Sequence, residues 1–348
     1  MKKLLYLASA FAFVACGASK DTASTETNDT TIDYAAKYAK TITAKDLGKH
    51  LFIYASDEFE GRNTGEPGQK KAVNYLRDFY KSEGIVSPLG NDNYFQKVPS
   101  AYLSNNRRGM KLNDSENVVA FIEGTEKPDE ILVISAHLDH EGVKNGKIYN
   151  GADDDGSGTV AILEIAEAFK QAYNDGKKPK RSILFLHVTG EEKGLLGSKY
   201  YTENPIFPLT NTVTNLNIDM IGRVDDRHKG NPNYVYLIGA DKLSTELHNI
   251  SEAMNNKYTN VALDYKYNDE KDPNRYYYRS DHYNFAKNNI PVIFYFNGTH
   301  DDYHQPTDTP DKINYEMLEN RTRLVFHTAW ELANRENRVV VDKGETTK

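Results

Sequence analysis

The stretch Gly151–Tyr173, "GADDDGSGTVAILEIAEAFKQAY", decides how this chain is read. Its second half is an amphipathic helix, because Ile162, Ile165, Ala166, Phe169 and Tyr173 recur at helical spacing and make one apolar face. Its first half crowds Asp153, Asp154 and Asp155 between glycines, just ahead of that helix. Neighbouring carboxylates repel unless water, hydrogen bonds or a cation relieves them. Taken alone, such a cluster is most simply a solvated Asp/Gly turn. The sequence on either side changes that reading.

Short apolar runs bounded by glycine alternate with helical periodicity. They are "NVVAFIEG" (117–124), "EILVISAH" (130–137), "SILFLHVTG" (182–190), "NLNIDMIG" (215–222), "YVYLIG" (234–239) and "PVIFYFNG" (291–298). A helix is expected where Ala72, Val73, Leu76, Phe79 and Tyr80 share a face, and another over the closing segment 314–335. The short link "TEKPD" (125–129) predicts a hairpin or near-hairpin between the first two strands. Apolar strands interleaved with helices argue an α/β fold with a largely buried mixed sheet. In such sheets functional groups collect in the loops after strand C-termini.

The acidic and imidazole side chains fall in those loops. His137 and Asp139 end one strand, Glu191 and Glu192 end the next, and Asp219 sits at a third strand end. His304 follows the last strand, and Asp154 lies in the loop that opens the helix. Each has an ordinary reading as a cap, a solvated loop acid or a hydrogen-bonded histidine. Together they exceed what capping needs, and the carboxylates call for a counter-charge. Imidazole with carboxylate suits zinc, with manganese or cobalt as substitutes. One aspartate can bridge two ions ~3.5–4 Å apart.

Composition narrows the partners. The 348 residues are 39% hydrophobic and 27% charged, with a formal net charge of −7, which argues against nucleic acid. Lys2 and Lys3 precede an apolar run, Leu4 to Ala15, and then Cys16, the single cysteine. Residues 1–15 read as a lipoprotein signal peptide, too short to span a bilayer as a stable anchor, with "FVAC" resembling a lipobox and Cys16 the lipid-attachment residue. Residues 16–33 read as a flexible tether, 34–338 as a single domain and 339–348 as a tail. The expected location is exported and membrane-anchored, facing the periplasm or the cell exterior, with the protein a monomer.

Six stretches, "AHLDH", "GADDDGSG", "TGEEKGLLGS", "NIDMIGR", "SDHYNF" and "DYHQPTDTPDKI", in this order and after the upstream "YASDEFEGR" (54–62), resemble the M28 family of co-catalytic zinc metallopeptidases. The resemblance runs from about Leu47 to Ala333. It implies a three-layer α/β/α sandwich with a central mixed, mostly parallel sheet, and a zinc-dependent exopeptidase (aminopeptidase) acting on peptides with two zinc ions. His137 and Asp219 would then hold the first ion, Glu192 and His304 the second, and Asp154 would bridge them. Asp139 would orient the His137 imidazole, and Glu191 would be the general base. Asp153, Asp155, Asp281, His282, Tyr303 and Asp308 would support the ligands or meet the substrate, with Asp153, Asp155 or a loop acid holding the substrate ammonium. His187 reads as a core strand residue, and Tyr276–Tyr278 as pocket wall.

Rival readings remain. A glutaminyl-cyclase-like acyltransferase shares the fold, although cyclases usually carry Trp where Tyr303 stands. A carboxypeptidase or dipeptidase of the same family, or a metal-free binding protein such as a receptor ectodomain, are further alternatives. No H-E-x-x-H, G-x-S-x-G or EF-hand pattern is present.

Overall fold

The computed structural model describes Met1, residues 32–90 and residues 92–343. Cys16, the signal peptide and nearly all of the tether lie outside the described residues. The chain divides after Asp33, and the unit Tyr34–Lys348 carries every element below. Its strands are β1 (Phe95–Val98), β2 (Ser115–Ile122), β3 (Lys127–His137), β4 (Gly142–Lys144), β5 (Lys147–Tyr149), β6 (Arg181–Val188), β7 (Thr212–Ile218), β8 (Tyr234–Ile238), β9 (Ala262–Asp264) and β10 (Val292–Phe296). Its helices are α1 (Tyr34–Ala39), α2 (Ala44–Tyr54), α3 (Pro67–Ser82), α4 (Ser100–Leu103), α5 (Gly158–Asn174), α6 (Leu196–Glu203), α7 (Thr245–Met254), α8 (His282–Ala286) and α9 (Tyr315–Asn334).

Eight strands form one mixed sheet in the order β1-β2-β6-β3-β7-β10-β8-β9, and β4 pairs with β5 apart from it. The central strands β6, β3, β7 and β10 are parallel, so their C-termini share one edge. Both faces are apolar. Leu132 and Ile134 of β3 turn to a core shared with Leu51 of α2, Ile162 and Phe169 of α5 and Phe326 of α9. Ile131 and Val133, one residue out of step, turn to the opposite core with Tyr201 of α6 and Phe285 of α8. These are the three layers expected, helix on sheet on helix. Among the described residues, no helix is long and apolar enough to cross a membrane.

Helix starts follow from local chemistry. The Thr43 hydroxyl accepts from the Asp46 amide at the start of α2, and the Asn314 side chain accepts from the Met317 amide at the start of α9. Pro67 opens α3, where its missing N–H costs nothing.

Two sequence expectations change. β2 and β3 are not a hairpin, because β6 lies between them, antiparallel to β2 and parallel to β3. The link crosses the start of β6, where the Thr125 and Lys127 amides donate to the Pro179 and Lys180 carbonyls. Gly124 allows the crossing, since a Cβ there would lie 2.4 Å from the Arg181 carbonyl carbon. The boundary at 338 also moves. Val339 is buried, the Val340 amide donates to Glu246, and the Asp342 amide donates to the Leu243 carbonyl.

Candidate active site

The carboxyl edge of the parallel strands gathers the expected residues. His137 ends β3, Asp219 follows β7, and Glu191 and Glu192 follow β6. His304 lies in the loop after β10, and Asp154 in the loop before α5. Asp154 stands at the centre. Its Oδ1 lies 3.1 Å from His137 Nε2, which is in turn 3.6 Å from Asp219 Oδ1. Its Oδ2 lies 3.0 Å from His304 Nε2 and 3.8 Å from His140 Nδ1. Glu192 closes that second group, with Oε2 3.3 Å from His304 and Oε1 2.9 Å from His140. The two oxygens of one carboxylate therefore face two different donor sets.

Those donors form groups compact enough for a cation: His137 with Asp154 and Asp219, and His140 with Asp154 and Glu192. Glu141 with Glu192 and His304 makes a third. Polar satisfaction points the same way. His140 Nδ1 and Glu192 Oε1, 2.9 Å apart, are buried with no further hydrogen-bond partner among the described residues, and His140 Nε2 is buried without one. Native structures rarely leave such atoms unmatched, and a metal ion is one of the groups that satisfies them. Burial disfavours the His304 imidazolium, yet the Asp154 and Glu192 carboxylates outweigh it and lift its pKa to about 10. The site is short of positive charge, and the residues present fit a divalent ion.

A sequence profile supplies the name for this arrangement: Peptidase family M28 matches residues 117–329. The chain belongs to peptidase family M28. It is 26% identical over 303 residues to leupeptin-inactivating enzyme 1 of Streptomyces exfoliatus, covering 81% of this chain and 59% of that protein. It therefore spans about six-tenths of that relative's length. Among solved structures, the fold is shared with the LapA aminopeptidase of Legionella pneumophila, at 22% identity and a TM-score of 0.66, over 87% of this chain and 75% of that one. It is also shared with the glutaminyl cyclase of Porphyromonas gingivalis, at 20% identity and a TM-score of 0.63, over 83% and 98%.

The flanking aspartates of this M28 chain do not hold substrate. Asp153 accepts from the Gly222 amide, Ser157, Asn297 and His300. Asp155 accepts from the amides of His137, Gly158 and Met220. Both are fully buried and turned to these donors, out of reach of an ammonium group in the pocket. They hold the strand ends of His137 and Asp219 against the Asp154 loop, while Asp154 alone faces the donors. The Asp308 carboxylate fixes that loop by accepting from the Asp153 and Asp154 amides.

Asp139 also differs from expectation. Its backbone carbonyl, not its carboxylate, accepts from His137 Nδ1 at 2.9 Å. The carboxylate is turned to the Thr64 hydroxyl and the Glu191 amide, so it positions the base loop instead. Asp281 accepts from Ser198, and burial pushes its pKa up to about 7. His282 is a core residue stacked on Phe294, its pKa lowered to about 3 by burial, and it does not line the pocket. His187 likewise sits in the core, 2.7 Å from the Tyr80 hydroxyl.

Beside the donors lies a pocket walled by Met220, Tyr276, Phe294, Phe296 and Tyr303, with Arg279 lining it as well. Of the tyrosine run, only Tyr276 lines it. Met220 and His304 both hold positive φ, at 61° and 55°, a conformation uncommon for side-chain-bearing residues and concentrated at functional sites.

Sequence reasoning missed His140. Its ring packs on Gly151, where a Cβ would come within 2.4 Å of it, and this fixes the imidazole against Glu192. The signal was the second histidine of "AHLDH". Arg62 was also missed as a scaffold. Its guanidinium donates to the carbonyls of Tyr54, Leu138, Asn150 and Gly151, tying both ligand loops together.

Proposed function

We propose that this chain is a zinc-dependent exopeptidase that removes residues from free peptide N-termini. The observation that carries the reading is Asp154, whose two oxygens face separate donor sets beside an aromatic pocket. His137 and Asp219 would hold one zinc ion, and Glu192 and His304 with His140 the other, with Asp154 shared. Bound zinc would supply Lewis acidity, polarising the scissile carbonyl and lowering the pKa of water.

The chain's own residues do the rest. The Glu191 carboxylate is held off the ligand sets, its Oε2 4.0 Å from His137 Nε2, and its backbone amide is fixed by Asp139. Burial raises its pKa well above the usual carboxylate range; His137 opposes this, while Glu192 and Asp219 add to it. In its carboxylate form it takes a proton from the attacking water, the raised pKa making it the stronger base, and returns that proton to the leaving amine. The aromatic pocket takes the first side chain. The acids lining it, Glu191 and Asp219 among them, would face the substrate ammonium. An acid left unpaired by a blocked amine penalises that substrate.

The test compares one peptide with free and acetylated N-termini. A strong preference for the free amine, abolished by chelator and restored by zinc, is expected. Comparable kcat/KM for both forms would overturn the reading. On the glutaminyl-cyclase alternative, chelator-sensitive release of pyroglutamyl peptide would replace hydrolysis. Lys2, Lys3, the apolar run and Cys16 support a second part of the proposal, an exported lipid-anchored enzyme. Cys16→Ala should release it from membranes, and wild-type protein carrying no lipid mass would refute the anchor.

A further inference from the structure

A second groove, of about 540 Å³, lies beside the site and is lined by Arg107, Arg108, Lys193, Lys199 and Lys287, with Tyr283 in its wall. Lys193 directly follows Glu192 in the chain, and Arg108 Nη1 donates to the Glu192 carbonyl at 2.9 Å. Tyr278 of this groove is separated by one residue from Tyr276 of the aromatic pocket. The two cavities have no lining residue in common, but Tyr278 of the groove and Arg279 of the pocket are consecutive, so their Cα atoms are only ~3.8 Å apart. Lys193 thus places one wall of the groove a single residue along the chain from Glu192.

Its charge is not neutralised from within. Lys199 pairs with Glu203 at 2.6 Å. Glu141 contacts Lys144 and stands 4.0 Å from the nearly buried Lys193. Arg107, Arg108 and Lys287 form no close ion pair among the described residues, and Glu203, already paired with Lys199, is the carboxylate that acts on Lys287 from further off. Crowding shows in Lys287, whose pKa is lowered by burial and by its neighbours Lys199 and Arg107, which together outweigh the opposing Glu203. Cations clustered along a concave wall focus a field that attracts anionic groups, and arginine suits carboxylates in two-point contact.

We propose that this groove binds a carboxylate on the leaving part of the peptide, either an acidic side chain or the C-terminal carboxylate of a short peptide. The inference rests on the exopeptidase reading and names the substrate class for it.

The experiment uses the full chain loaded with zinc and three peptides. They are leucyl-alanyl-alanine amide, the same peptide as free acid, and leucyl-glutamyl-alanine amide. Wild type should favour one or both acidic peptides over the neutral amide by roughly tenfold in kcat/KM, mainly through KM. Rising ionic strength should erode that preference. The double variant Arg107→Glu with Lys287→Glu should bring the ratio of acidic to neutral peptide to about one or below. A preference confined to the free acid assigns the groove to a C-terminal carboxylate, and one shared with the glutamyl amide assigns it to any nearby carboxylate. Equal rates for all three wild-type reactions, or a preference that survives the double reversal, would overturn the proposal. Should no peptide be hydrolysed, the exopeptidase reading falls, and the groove is judged by calorimetric binding of triglutamate. Binding that the double variant loses would support the groove; binding that is absent, or equal in both proteins, would overturn it.

Discussion

Asp154 differs from its two neighbours by what its oxygens face, and that difference is not written in "DDD". The run says that three acids are adjacent; it does not say that Asp153 and Asp155 spend their oxygens on the amides of Gly222, His137, Gly158 and Met220. The candidate residues were legible because His, Asp and Glu gather in the loops after apolar strands and before α5, and the family resemblance assigned their roles. The choice of atom was not, so the Asp139 carbonyl and the His140 ring came only with the structure. This leads to a residue-by-residue expectation. Asp154→Asn should weaken both ions together. His140→Ala should weaken one ion by about 10- to 100-fold, read by chelator competition and by the visible spectrum of the cobalt form. Glu191→Gln should keep both ions and lower kcat by about 10²- to 10⁴-fold. A His140→Ala protein with wild-type affinity at both sites would remove His140 from the ligand set.

At the scale of elements, strand identity was readable and strand neighbours were not. Alternation and β-rich composition mark "NVVAFIEG" and "EILVISAH" as strands, but a short link permits either a hairpin or a hop over an intervening strand. The hop is decided by β6, whose fully buried apolar run fits between them. Helix contacts carry a further hidden feature, where α2 meets α5. Glu164 is only 2% exposed, and its Oε1 lies 3.8 Å from His50 Nε2. Burial, with Glu167 and Asp46 adding to it, raises the Glu164 pKa from 4.5 to about 8, and burial lowers His50 to about 4. The folded acid thus keeps its proton over a range in which the unfolded acid has lost it. Below pH 4.5 both states of Glu164 are protonated and nothing is lost; between pH 4.5 and about 8 the Glu164 contribution falls as pH rises, while the lowered His50 acts the other way between about 4 and 6.5. Glu164→Gln, which mimics the protonated form, should raise Tm by about a few degrees near pH 8 and hardly at all near pH 4.5. Equal Tm gains at both pH values would show that packing, not titration, sets the effect.

For the whole molecule, the layered α/β architecture was visible because periodicity of two and of 3.6 alternates along the chain. The last five described residues were misplaced because "RVVVDK" shows too little pattern to separate a docked strand-like end from a tail. What periodicity cannot show is where the fold holds unfavourable charge. Here the ends of β3, β6 and β7, the Asp154 loop and the His304 loop converge, so five separate connections bring a carboxylate or imidazole to one place. With a single cysteine, no disulfide within the chain can offset that repulsion. A cation that binds the folded chain and not the unfolded one should therefore stabilise the whole unit. At a free concentration of ~1,000 Kd the gain is about 4 kcal/mol, which for a unit of this size means roughly 10 °C in Tm. Calorimetry of the zinc-loaded protein should show that drop on chelation and its return on adding zinc. The same treatment of Asp154→Asn should shift Tm far less, because the shared carboxylate is the link between the two donor sets. A wild-type Tm that ignores chelator would mean that the converging loops are held by their hydrogen bonds alone, through Asp153, Asp155 and Arg62, and that the ions, if they bind, are not part of the fold.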